Sequence, residues 1–237
     1  MKGKHMRKQS LIRGIVLTAL VFGALLVGAP AARAQLFFHV RMDTSLLIGH
    51  PGAPFYLDFQ LNGGSGVDMG NNRVTLSNFD FGGGFAGPDV PNLIGGASGD
   101  LTGGLTISDT LFRNEFFQPF TPGSVLEFDA EITTNVDAGP TPDQFSFSIL
   151  DCTQTEIPTL GTPTDVFVLI RLDSPSPLVQ AFAGDPSRSP ACGGGSIGVD
   201  SPAVTSGPSV EVVPEPATSA FFGIGFIGLF AHRRRRA

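Results

Sequence analysis

Through much of residues 35–172, apolar and polar side chains alternate with a period of two, in short runs divided by Gly/Pro-rich breaks. That period places successive side chains on opposite faces of an extended strand. "LFFHVRMD" sets Phe38, Val40 and Met42 against His39, Arg41 and Asp43. "FYLDFQL" turns Phe55, Leu57, Phe59 and Leu61 one way and Tyr56, Asp58 and Gln60 the other. "SVLEFDAEITT" repeats the pattern, with Leu126, Phe128, Ala130 and Ile132 opposed to Glu127, Asp129 and Glu131. "DQFSFSIL" alternates Phe145, Phe147 and Ile149 with serines, and "DVFVLIRLD" reads as a strand buried on both faces up to Arg171. The breaks "NGGSG", "GGGFAGPD", "NLIGGASG" and "DAGPTPD" are turn chemistry, and no stretch of the body keeps a 3.6-residue stripe. The pattern predicts an all-β fold, an antiparallel two-sheet sandwich of jelly-roll type, with helices confined to the two ends of the chain.

The N-terminal end departs from this pattern. Lys2, Lys4, Arg7 and Lys8 precede the apolar run "GIVLTALVFGALLVGAP", which closes on "AARA". A basic start, an apolar centre and small residues at Ala32 and Ala34 are the anatomy of a signal peptide cut by signal peptidase, so the mature chain is expected to begin at Gln35. The chain then divides into a signal peptide (1–34), a β-sandwich domain (35–200), a Ser/Pro/Gly-rich linker (201–213) and a C-terminal tail (214–237).

Export changes how composition and cysteines are read. Residues 35–213 hold five arginines, no lysine and 20 acidic residues, a net charge of −15. Such a surface repels nucleic acid, which is excluded as a partner. Cys152 and Cys192, with only each other as partners in an oxidising compartment, are expected to form a disulfide. The chain has 21 phenylalanines, one tyrosine and no tryptophan. Phe brings apolar area without a polar tip, so most of these rings are expected in the core.

The tail reads "VVPEPATSAFFGIGFIGLFAHRRRRA". Its uncharged run, residues 217–231, gives about 22 Å of helix against a hydrocarbon core of about 30 Å, a short transmembrane span. Pro214 and Pro216 mark its outer boundary and leave Glu215 in an extended strip, while Arg233, Arg234, Arg235 and Arg236 stay cytoplasmic. Together these features resemble the PEP-CTERM sorting signal of bacterial envelope proteins. The resemblance implies that an exosortase reads Pro214, Glu215, Pro216 and the arginine cluster, cuts near the motif and passes the protein outward. It implies an exported protein of a Gram-negative-type cell envelope or its surroundings, anchored in the inner membrane only transiently and associated with exopolysaccharide. In the body, "MDTSLLIGHPGAPFYLDFQLNGG", "NNRVTLSNFDFGGG", "SGDLTGGLTISDT" and "FTPGSVLEFDAEITT" resemble an uncharacterised PEP-CTERM family with a β-rich fold.

Catalytic chemistry is sparse. His39 and His50 are the only histidines of the mature body, no G-x-S-x-G or H-E-x-x-H motif occurs, and no catalytic residue, metal ligand or cofactor is assigned. Glu127, Asp129 and Glu131 form the densest carboxylate set, read as a solvated outer strand face. If calcium binds, the loops "DAGPTPD" (Asp137, Asp143) and "NGGSGVDMGNN" (Asp68) carry suitable oxygens. The expected function is that of a non-enzymatic envelope or matrix protein. The alternative is a carbohydrate-binding or carbohydrate-active sandwich, calcium-dependent in one form, with Phe112, Phe116, Phe117 and Phe120 as aromatic candidates beside Tyr56.

Overall fold

A computed structural model describes residues 35–64, 69–135, 139–161, 164–172, 178–185, 187–188, 192 and 209–213. The signal segment, Asp68, Asp137, most of the linker and the tail from Pro214 onward lie outside the described residues. The described chain is all-β, with a single 3-10 turn at Ser45–Leu47. The strands are β1 (Gln35–Asp43), β2 (Phe55–Asn62), β3 (Arg73–Asp80), β4 (Phe85–Ala86), β5 (Asn92–Ile94), β6 (Gly96–Asp100) and β7 (Gly104–Ser108). They continue as β8 (Arg113–Thr121), β9 (Val125–Thr133), β10 (Gln144–Leu150), β11 (Val168–Arg171), β12 (Leu178–Ala181) and β13 (Ser209–Val213).

Two antiparallel sheets result. Sheet A has the order β13-β1-β9-β3-β7-β6, and sheet B the order β12-β11-β10-β2-β8-β4, with β5 also paired to β8. The pairings β1 with β9, β2 with β8 and β3 with β7 are nested in sequence, so the chain wraps as a folded ribbon that alternates between sheets.

Alternation placed the core correctly. Phe38, Val40 and Met42 of β1, Phe55, Leu57, Phe59 and Leu61 of β2, Leu126, Phe128, Ala130 and Ile132 of β9 and the apolar positions of β10 are buried. Phe59 lies at the centre, 5.3 Å from Phe128 of sheet A edge to face and 5.0 Å from Phe147 of its own sheet. "DVFVLIRLD" is buried up to Arg171, which is exposed as expected. After β3 the glycines turn the chain: Gly82 and Gly83 take φ of 57° and 94°, a region L side chains rarely enter.

Polar residues inside the body hold loops in place. Asn114 of β8 donates to the carbonyls of Leu61 (2.9 Å) and Leu111 (2.6 Å) and accepts from the N–H of Gly96 (2.9 Å) and Leu111 (3.0 Å). Cys152 and Cys192 are disulfide-bonded, with Cα atoms 5.7 Å apart. Asp151 secures the same junction, accepting from the N–H of Thr153 (2.9 Å) and of Cys192 (2.8 Å).

The segment read as a linker ends differently from its composition. Ser209–Val213 is strand β13, paired antiparallel with β1 from Arg41↔Ser209 to Phe37↔Val213. The β-branched residues of "SVEVV" meet an open strand edge there, and that pairing outweighs the Ser/Pro/Gly character of the preceding residues.

Candidate functional site

Glu127, Asp129 and Glu131 do share the outer face of sheet A, but they are paired rather than simply solvated. Their cross-strand neighbours on β1 are Arg41, His39 and Phe37, and Gln35, opposite Thr133, reaches Glu131 diagonally. Arg41 forms an ion pair with Glu127, His39 Nδ1 lies 2.8 Å from Asp129 Oδ1, and Gln35 Nε2 donates to Glu131 Oε1 at 2.8 Å. Asn78 Nδ2 donates to the other Asp129 oxygen at 2.7 Å. Asn78 reaches it because β3 shifts register between Ser77 and Asp80 and Asn78 takes a φ of 56°. The hydrogen bonds from Asn78 and His39, the first being the stronger cause, hold the Asp129 carboxyl below the usual carboxylate range despite partial burial.

Beside this ladder is a shallow cleft of about 260 Å³, lined among others by Phe37, Thr75, Ser77, Asn78, Asp129 and Glu131. Phe37 is half-buried and faces outward on β1, opposite Glu131. Alternation through Phe38, Val40 and Met42 already implies this orientation, since Phe37 is odd-numbered like His39. The sequence reading assigns Phe37 to neither face. The cleft therefore combines a ring face with fixed carboxylates, an amide and two hydroxyls.

At the chain's other end, β13 closes the edge of sheet A beside β1, and its last residue is followed directly by Pro214. Residues 212–236 match the model of the PEP-CTERM protein-sorting motif. The chain carries a PEP-CTERM sorting signal. Pro214, Glu215, Pro216 and the four arginines Arg233 to Arg236 fall within the matched residues, and such a signal implies an exosortase as processing partner and an exported, envelope-associated protein. No curated protein and no solved structure matches the chain. Among the described residues no helix is long and apolar enough to cross a membrane; the tail is not among them.

The other candidate residues sort differently. Phe116 and Phe120 are buried in the core, Phe117 packs edge-on against Tyr56 at 6.1 Å, and only Phe112 is well exposed, at 67%. The aromatic run is thus a strand of sheet B, and its rings do not form a common surface. His50 Nδ1 accepts from the N–H of Gly52 at 2.9 Å within its own loop.

The two loops considered for calcium do meet. Asp143 is buried and accepts from Asn72 Nδ2 at 2.8 Å, while Asn72 Oδ1 accepts from the N–H of Asn135 at 2.8 Å. Asp109, not singled out from the sequence, joins them: its Oδ1 accepts from the N–H of Gly70 (2.9 Å) and Asn72 (3.1 Å), and its carboxyl meets that of Asp143. Burial pushes the Asp109 carboxyl upward, against those hydrogen bonds. These contacts tie loop to loop, and among the described residues no three His, Cys, Asp or Glu are grouped to hold a metal.

Proposed function

We propose that this protein is a non-enzymatic component of the envelope or extracellular matrix of a Gram-negative-type bacterium, exported by its N-terminal signal and sorted by an exosortase. In this reading signal peptidase cuts after Ala34. The run 217–231 then rests in the inner membrane with the arginines on the cytoplasmic side, and the exosortase removes the tail near Pro214. The sorting-motif match at residues 212–236 carries the reading. The paired state of the outer carboxylates supports a non-catalytic body. Of these carboxylates Asp129 is held low, so it does not serve as the protonated acid that a glycosidase requires. The nested strand pairings support a sandwich of jelly-roll type.

The test is peptide mapping with intact mass on protein from membrane and medium fractions of the native host. The expected product begins at Gln35 and ends between residues 214 and 217. A chain still ending at Ala237 in every fraction would reduce the tail to an anchor and remove the exosortase from the account.

A second reading is favoured by the cleft on sheet A. A ring beside fixed acceptors and hydroxyls suits a neutral or amino sugar, whose C–H face stacks on the ring while its hydroxyls donate to Asp129 and Glu131. Exopolysaccharide from the native host should then bind the purified body, and Phe37→Ala should weaken binding by about tenfold, the equivalent of one aromatic contact. Equal binding by the two proteins would discard the cleft as the sugar site.

A further inference from the structure

Granted that an exosortase reads Pro214, Glu215 and Pro216, we propose that strand β13 must leave the edge of sheet A before the tail is cut, so that docking of β13 gates processing. The last residue paired to β1 is Val213, opposite Phe37, and the proline-flanked strip starts at the next residue. No spacer separates the folded sheet from the recognition sequence. Proteolytic enzymes hold substrates extended, commonly by main-chain pairing on both sides of the cut. Docked on β1, residues 209–213 offer an enzyme only their outer edge, so a groove that encloses the chain requires them to be released.

The geometry also supplies the remedy. β13 is an edge strand with a neighbour on one side only. Of its two described side chains, Ser209 is exposed and Val210 is only partly buried against the core. Its release gives up one row of ladder bonds, since no strand flanks it on the other side. Five released residues supply roughly 17 Å of extended chain, enough to hold the body clear of a membrane-embedded groove. Pro214 and Pro216 have no N–H and cannot prolong the ladder with β1, so docking stops where recognition begins. Once the tail is gone β13 is free to return, with Val213 opposite Phe37, two residues from the start of β1. Both processing points then leave sheet A at the same end, on neighbouring strands.

A cross-strand staple tests this. Directly opposed antiparallel residues meet the Cα spacing a disulfide requires, so Phe37→Cys with Val213→Cys locks the last pair of the ladder. Four proteins are expressed in the exosortase-bearing host: the parent, Phe37→Cys alone, the double variant, and the double variant with six Gly/Ser residues inserted between Val213 and Pro214. Intact mass reports the C-terminus of each. The expected result is cleavage in the parent and the single variant, loss of cleavage in the stapled chain, and its return when the spacer is added. Cleavage of the stapled chain to the parent's extent would overturn the proposal, showing that the enzyme works with β13 docked. A stapled chain that stays uncut even with the spacer, while the single variant is cut, would overturn it as well, since reach would not be the limit. An uncut parent would instead bring down the sorting reading itself, an outcome distinct from the other two.

Discussion

Replacing Phe59 by alanine should lower the free energy of unfolding by about 3–5 kcal/mol, the range for truncating a large buried aromatic residue. Phe59 is fully buried in β2 and touches rings from both sheets: Phe116, Phe145 and Phe147 of sheet B, Phe128 and Phe79 of sheet A. Its loss leaves a cavity that these neighbours cannot fill, because each is fixed within a paired strand. The effect is large against the 5–15 kcal/mol that stabilises a typical domain. Urea unfolding of the body with its disulfide intact, followed by circular dichroism, gives the number. Phe112→Ala serves as the comparison, since that ring is 67% exposed and should change stability by no more than about 0.5 kcal/mol. Equal shifts in the two variants would mean that Phe59 is not where the sheets are joined.

What the sequence made legible was whatever rests on a period of two. Alternation alone placed Phe55, Leu57, Phe59 and Leu61 inward, and it set Glu127, Asp129 and Glu131 on one outer face. It could not show that Arg41, His39 and Gln35 of β1 reach those carboxylates, because the register between β1 and β9 depends on pairing across 90 residues of chain. Phe37 escaped for a related reason: its burial depends on which strand lies beside β1. Local composition misled at Ser209–Val213, where the free edge of β1 decides the structure. Asp109 carries no motif, and its role as a tie between two loops exists only once β7 brings them together. The PEP-CTERM tail was readable because its signal is linear: a tripeptide, an apolar run and a basic cluster, in order.

The same limit of alternation hides a charge. Asp58 falls on the outward register of β2, yet it is 2% exposed, with Ser148 and Phe117 opposite it on the flanking strands. Gln60 Nε2 donates to Asp58 Oδ2 at 2.8 Å and reaches Glu115 Oε1 at 3.3 Å, and Asp58 Oδ1 accepts no hydrogen bond. Burial, helped by the charges of Glu115 and Glu156 and opposed by Gln60 and Arg113, pushes the Asp58 carboxyl up to about 7. An unfolded aspartate releases its proton near pH 3.9, so between about pH 4 and 7 the folded state holds a proton that the unfolded state has lost. The contribution to stability is therefore complete below about pH 4 and is lost as pH rises through the folded value, at up to about 1.4 kcal/mol per pH unit and of the order of 4 kcal/mol in all. Asp58→Asn keeps an oxygen for Gln60 and never carries the charge. It should melt close to the parent at pH 4 and be clearly more stable at pH 8, with the gap opening between those values. The carboxyls held low, such as Asp129 and Asp151, lose their contribution only as pH falls through still lower values, so they shift both proteins alike. Parallel stability curves for parent and variant from pH 4 to 8 would show that Asp58 ionises in the folded protein as readily as in the unfolded chain, and that its burial carries no proton.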